Sequence, residues 1–292
     1  MPLAASRGAG IHFDVIGEGA PILFLHEFAG DHRSWADQVR YFARDRRCIT
    51  MAARGYPPSD VPEDPLAYSQ DLANSDVLAV MDTLELESAD LVGLSMGAYT
   101  ALQMAIYHPS RVRTVTAAAG GSGAHLPTRP AFIEQTQALA AALDGMAVFP
   151  AEQMGTGATR IHLLRKDPLG WAQFCANLTE HPTAAAAHTL RGVQAARPSL
   201  YDLELELSGI EAPVLLLLGD EDEACLDVNL WMKRIMPTAR LQILPASGHG
   251  LNLEEPAAFN AAVASFLDLV DRGTWRPRDP MAAPGADLYR AR

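Results

Sequence analysis

The chain alternates short, continuous apolar runs with stretches in which apolar residues return at helical spacing. Six runs stand out: "PILFLHEFAG", "RCITMAARGY", "SADLVGLSMG", "RVRTVTAAAG", "APVLLLLGD" and "RLQILPASG". Each is apolar at successive positions and ends in a loop, the pattern of a parallel strand buried on both faces. Between them Trp35, Val39 and Phe42 recur at helical spacing, as do Val77, Val80, Met81 and Leu84, and Ala98, Ala101, Leu102, Ala105 and Ile106. Pro256 stands where a helix through Phe266 would begin, a position that needs no backbone N–H. Strand, helix, strand, helix predicts an α/β fold: an open, mostly parallel sheet with helices on both faces, built from residues 1–120 and 208–271.

One stretch breaks the alternation. From Gly121 to Leu207 no strand pattern appears, and alanine-rich helical segments are separated by Pro150, Pro168, Pro182 and Pro198. Residues 121–207 are therefore expected to form an all-helical insertion. The tail from residue 272 to 292, "RGTWRPRDPMAAPGADLYRAR", has no periodicity. It is expected to be irregular, and either loosely attached or docked on the partner subunit of a homodimer.

Composition narrows the function classes. The chain has 292 residues, 49% hydrophobic and 20% charged, enough to bury a sizeable core. A net charge of -12 disfavours nucleic acid and anionic membrane, which reward basic surfaces. Cys48, Cys175 and Cys225 are widely spaced and odd in number, which argues against a disulfide framework or a zinc motif and for a reducing compartment. The first ten residues lack the apolar core of a signal peptide, and no apolar run reaches transmembrane length. The expectation is a cytoplasmic protein acting on a small molecule.

The chemistry gathers where strands end. "GLSMG", Gly93 to Gly97, fits G-x-S-x-G at a strand-to-helix junction, where flanking glycines let the backbone turn sharply around Ser95. The motif alone is weak; its setting between an apolar strand and a helix strengthens it. A serine hydroxyl needs a base to take its proton, and the base needs a carboxylate to orient it. "ASGHGLNLEEP" places His249 in a glycine-flanked loop after the last strand. "GDEDEAC" packs Asp220, Glu221, Asp222 and Glu223 into the loop after "VLLLL" at the same edge of the sheet. The order serine, acid, histidine suits this architecture.

These residues resemble the α/β-hydrolase superfamily, in particular its cap-containing esterase, enol-lactonase and epoxide-hydrolase-like branch, over about Ile11 to Val270, which implies that the insertion of residues 121–207 is the helical cap, or lid. The resemblance implies that the catalytic acid stands three residues after the strand-ending Gly219, which is Asp222, and leaves Asp220 and Glu221 as the solvated face of the loop. It also implies an oxyanion hole made by the backbone N–H groups of Phe28 and Met96, with His26 a structural member of the "HEFAG" loop. Glu27 replaces the glycine usual at that place. Its carboxylate is expected to pair with Arg54, in the loop after the next strand, or with a backbone donor. A serine nucleophile points away from the aspartate-dependent epoxide hydrolases and dehalogenases. It favours hydrolysis of a small ester or lactone through an acyl-enzyme. Hydrolysis of a carbon–carbon bond in a vinylogous diketone uses the same triad, and cofactor-free oxygenation with His249 as base is a third reading.

Other residues carry less. His162, His181 and His188 lack metal-ligand pairing at helical spacing and are expected on polar faces; neither a metal nor a cofactor is implied. Arg129, Arg160, Arg165, Arg191 and Arg197 lie in the insertion, where one could meet a substrate carboxylate, although solvated arginine is the default. Trp35, Trp171 and Trp231 stand at helical positions that suit a core.

Overall fold

A computed structural model describes residues 1–282. One sheet of eight strands organises it: β1 (Leu3–Ser6), β2 (Ala9–Ile16), β3 (Ala20–Leu25), β4 (Arg46–Met51), β5 (Ala89–Leu94), β6 (Val112–Ala118), β7 (Val214–Gly219) and β8 (Ala239–Leu244). Their spatial order is β1-β2-β4-β3-β5-β6-β7-β8. From β3 to β8 the strands are the six apolar runs and pair in parallel. The first two are antiparallel and were not expected from the sequence. Their pattern explains this: β1 is four residues long with alternating burial, and β2 carries His12, Asp14 and Gly10 among its apolar positions. Each is a half-exposed strand of an edge hairpin, with too little apolar content to stand out.

Alternation along the strands sorts the core onto two faces. Leu23, Leu25, Ile49, Leu91, Val115 and Leu216 face one layer, where they pack with Val77, Val80, Leu102 and Met232 from helices Gln70–Thr83, Met96–Tyr107 and Glu223–Ile235. Ile22, Phe24, Cys48, Val92, Leu215 and Leu217 face the other, with Phe42, Phe259, Val263 and Phe266 from helices Ala36–Phe42 and Pro256–Asp271. Trp35 lies in this second layer with no exposed surface. The three cysteines are free and buried. No helix among the described residues is long and apolar enough to cross a membrane.

Only helices and turns lie between β6 and β7, from Leu126–Thr128 to Glu204–Ser208. Most of this segment has its own small core of Ala140, Leu143, Phe149, Leu163, Phe174, Leu178 and Leu190, which closes on Phe28 and Ala29 in the loop after β3. Its last turns behave differently: Leu200, Leu203 and Leu207 are packed into the main core beside the sheet.

The described part of the tail is not loose. Trp275 donates to the Thr238 carbonyl at 2.9 Å, and Arg278 donates to the Lys233 and Arg234 carbonyls at 2.9 and 2.8 Å. Residues 275–278 thus lie against their own chain; residues 283–292 of the tail fall outside the described residues.

Arg54 holds the hairpin to the rest. Its guanidinium meets Asp76 twice, at 2.8 and 2.6 Å, and donates to the carbonyls of Ala67 and Ser6 at 3.0 and 3.2 Å. Both partners are almost wholly buried, at 5% and 1% exposure. Burial raises the Asp76 carboxyl, and the hydrogen bonds from Arg54 oppose that rise. Asp76→Ala strands a buried cation and should lower unfolding free energy by about 3–5 kcal/mol in chemical denaturation. A loss within the error of the midpoint would show that the pair is not needed.

Candidate active site

Ser95 sits at the turn between β5 and helix Met96–Tyr107 with φ 53° and ψ -106°, in the left-handed region that a residue with a side chain adopts at a cost of about 1–3 kcal/mol. Two hydrogen bonds fix it there: Ser95 N–H to the Ala118 carbonyl at 2.8 Å, and Tyr99 N–H to the Ser95 carbonyl at 3.0 Å. The flanking glycines are sterically required. A β-carbon on Gly93 would run into the Gly97 carbonyl, and one on Gly97 into the Leu25 carbonyl of β3. The serine is thereby raised, partly exposed, at the carboxyl edge of the sheet.

His249 and Asp222 meet at the same edge. His249 Nδ1 and Asp222 Oδ2 are 2.8 Å apart, and each residue is 5% exposed. Because an ionised carboxylate only accepts, the ring proton on Nδ1 points to Asp222 and leaves Nε2 free. His249 and Ser95 both line a cavity of about 290 Å³ under the helical segment. Its wall includes Phe28, Phe132, Leu139, Met154 and Leu190, the neutral polar Gln135, Thr136 and Gln194, and the charged Glu27 and Arg160.

The acidic loop after β7 divides its work among its members. Asp222 alone is buried; Asp220, Glu221 and Glu223 are exposed. Asp220 and Glu221 are nevertheless more than a solvated face. Asp220 accepts the Ser247 N–H at 3.1 Å, and Glu221 lies 3.0 Å from His162 in the helical segment.

Sequence reasoning missed Glu254. This carboxylate, 5% exposed, accepts the N–H of Gly248 at 2.7 Å and of Gly250 at 3.1 Å, the residues on either side of His249. The signal was present as an acidic residue shortly after the histidine in "GHGLNLEEP", but nothing in its spacing said that the chain would fold back.

The loop after β3 is held from within. His26 Nε2 accepts from Ala53 N–H at 2.9 Å, so Nδ1 carries the proton and donates to the Glu27 carbonyl at 2.7 Å. Burial pushes this imidazole down to about 3, in keeping with a neutral ring. Tyr56 donates to the Phe28 carbonyl at 2.8 Å. Met96 is the first residue of its helix, so its N–H has no intrahelical acceptor.

Glu27 does not pair with Arg54, whose guanidinium is committed to Asp76. Its partner is Arg160: Arg160 Nη2 donates to Glu27 Oε2, and both residues are 2% exposed. Arg160 is therefore not the solvated arginine expected of the insertion. Burial draws its guanidinium down to about 10, against the opposing charges of Glu254 and Asp222. His181 also departs from expectation. It is buried, with Nε2 3.4 Å from Asp31. Burial would raise the Asp31 carboxyl, but hydrogen bonds from His181 and Arg33 outweigh it and hold the carboxyl well below its ordinary range. Both misplacements have one cause: the insertion folds down on the loop after β3, turning polar faces inward.

Comparison with known proteins agrees with this architecture. The 3-oxoadipate enol-lactonase 1 of Acinetobacter baylyi is 28% identical over 252 residues, covering 86% of this chain and 90% of its own. The 2-hydroxymuconate semialdehyde hydrolase of Pseudomonas sp. (strain CF600) is 26% identical over 268 residues, covering 87% and 89%. The crystal structure of a hydrolase from Pseudomonas aeruginosa PA01 superposes with a TM-score of 0.80 at 25% identity, covering 91% of this chain and 97% of its own. The family model for the alpha/beta hydrolase fold matches residues 20–256. With that match spanning most of its length, and an eight-stranded, mostly parallel sheet between helical layers, the chain belongs to the α/β-hydrolase family.

Proposed function

We propose that the protein is a serine hydrolase that cleaves a small, uncharged carboxylic ester or lactone through an acyl-enzyme on Ser95. The observation that carries this reading is the buried Asp222–His249 contact, which leaves His249 Nε2 to the cavity shared with Ser95. In the proposed cycle His249 Nε2 takes the Ser95 proton as Oγ attacks the acyl carbon. It then returns the proton to the leaving alcohol, and Asp222 stabilises the imidazolium between the two events. The N–H groups of Phe28 and Met96 receive the oxyanion; such donors contribute about 3 kcal/mol each. Water then attacks the acyl-enzyme with His249 again as base. The helical segment serves as the lid that shapes the acyl pocket and keeps bulk water out.

Charge favours an uncharged substrate. Glu27 and Arg160 are the acidic and basic side chains that line the cavity, and they neutralise each other. An unpaired Glu27 carboxylate about 5 Å from the oxyanion, at an effective dielectric near 20, would repel it by about 3 kcal/mol. Arg160 removes that penalty, and in doing so is unavailable to a substrate carboxylate. The relatives named for 3-oxoadipate enol-lactone and 2-hydroxymuconate semialdehyde extend the comparison in two directions. The first supports the lactone reading. The second keeps carbon–carbon bond hydrolysis by the same three residues as the alternative, and oxygen uptake would reveal the third reading, a cofactor-free oxygenase.

An organophosphonate should label Ser95 in the full chain, and Ser95→Ala should abolish labelling. Labelling elsewhere, or none in active protein, would overturn the acyl-transfer reading. Asp222→Asn should cost far more turnover than Asp220→Asn; the reverse order would move the acid to Asp220. Uncharged esters should be turned over at least about tenfold faster, as kcat/KM, than analogues with a carboxylate on the acyl chain, a difference of about 1.4 kcal/mol. Equal rates would contradict the charge argument. Glu27→Gln should destabilise the fold by about 3 kcal/mol or more by stranding Arg160. Turnover of the folded enzyme should fall by less than about tenfold; a loss beyond a hundredfold would mean that Glu27 moves a proton or holds substrate.

A further inference from the structure

Three side chains far apart in role, His12 and Asp14 on β2 and His32 in the turn after β3, converge at the edge hairpin. His12 Nε2 lies 3.3 Å from Asp14 Oδ2, and His32 Nε2 lies 3.9 Å from the same oxygen. One ligand atom from each of the three falls within 4.8 Å of the others. The placement follows from local structure. His12 and Asp14 are two apart on a strand and so share a face. His32 opens the short helix His32–Trp35 capped by Asp31, which presents its ring to them edge-on, with ring centroids 5.1 Å apart and planes at 77°.

Hydrogen bonding gives His12 an unusual requirement. Its Nδ1 is 3.3 Å from the Pro2 carbonyl, which can only accept, so Nδ1 must carry a proton. Its Nε2 faces the Asp14 carboxylate, which when ionised also only accepts. A neutral ring can donate to one of the two. A metal cation held between Nε2 and Asp14 would satisfy both groups at once. His32 supplies the second nitrogen. Its Nδ1 is buried without a hydrogen-bond partner and lies 3.9 Å from Asp31 Oδ1.

We propose that His12 Nε2, His32 Nε2 and a carboxylate oxygen of Asp14 bind a divalent transition metal, with Zn²⁺ the best match. In a tetrahedral zinc site with bonds of about 2.0–2.2 Å the ligand atoms stand about 3.3–3.5 Å apart. The His12–Asp14 separation already meets this, His32 and Asp14 must close by about half an ångström, and the two imidazole ligand atoms, which lie within 4.8 Å of each other, must draw together as well. Asp14 is half-exposed and can make that movement, and its solvent side leaves the fourth position to water. Two imidazoles exclude Mg²⁺ and Ca²⁺, which prefer all-oxygen sites. The outer contacts fit as well: Pro2 carbonyl behind His12 and Asp31 behind His32 would orient the rings, as carbonyls and carboxylates do behind metal-bound histidines. The metal would staple the hairpin to the segment that begins with Glu27 and Phe28. This is a structural site, separate from the chemistry proposed for Ser95.

Zn²⁺ is titrated calorimetrically into the tag-free, EDTA-treated full chain, with thermal unfolding followed in parallel and Mg²⁺ as control. The proposal expects saturable binding near one equivalent and a raised Tm, with no response to Mg²⁺. Asp14→Asn, at a half-exposed position, and His32→Gln should each weaken binding at least about tenfold and reduce the Tm rise. Because Asp222, Cys225 and His249 also lie within ligand distance of one another, Cys225→Ser is the companion variant. Zinc binding that survives Asp14→Asn and His32→Gln but is lost in Cys225→Ser would overturn the proposal. So would the absence of saturable zinc binding by the folded chain.

Discussion

One guanidinium compensates the charge that the loops at the carboxyl edge of the sheet bring together. Glu27 enters from the loop after β3, Asp222 from the loop after β7 and Glu254 from the turn after His249, and all three carboxylates are buried. Arg160 pairs with the first and feels the field of the other two. Desolvating an ion costs several kcal/mol even in a relaxed protein, so this pair persists only because each partner would be worse off alone. The consequence is mechanical as well as electrostatic. Arg160 belongs to the helical segment, so the charge balance of the core loops is met only when that segment is down on the sheet. The segment that covers the cavity beside Ser95 also supplies the partner of Glu27.

The remaining constraints act on His249. Its loop is gripped at Gly248 and Gly250 by Glu254, at Ser247 by Asp220, and at the ring by Asp222. Four carboxylates crowded after an apolar strand looked redundant as a sequence. In space Asp222 orients the imidazole, Asp220 anchors the loop that carries it, and Glu221 reaches His162 in the helical segment. Like charges are tolerated because Asp220, Glu221 and Glu223 keep contact with water while Asp222 takes its proton contact from His249. A strained Ser95 backbone opposite this loop completes an arrangement in which little has to move when a substrate enters.

What was legible in the sequence follows a physical divide. Buried parallel strands are apolar on both faces, so β3 to β8 announce themselves, and the turn chemistry of "GLSMG" marks the edge where Ser95 stands. Strands β1 and β2 alternate at an exposed edge and carry too weak a pattern. The Glu27 partner was beyond reach for a different reason. Arg54 was the economical choice by loop adjacency, but Asp76, on a helix that packs beside it, claims that cation first. Pairing between residues 133 positions apart is decided by how the insertion folds down, which periodicity does not encode. The same holds for Glu254 and for the His12, Asp14 and His32 cluster, whose members have no motif spacing and meet only because a hairpin and a capped turn share an edge.

The proposed cycle requires Ser95 to be covalently acylated during turnover. Intact-protein mass spectrometry of the full chain, acid-quenched within milliseconds of mixing with an activated, uncharged ester, tests it most directly. The expected result is a transient mass increase equal to the acyl group, localised by peptide mapping to Ser95 and absent from Ser95→Ala. Rapid ester hydrolysis with no acyl adduct at any quench time, even when deacylation is slowed with a hindered acyl group, would contradict it.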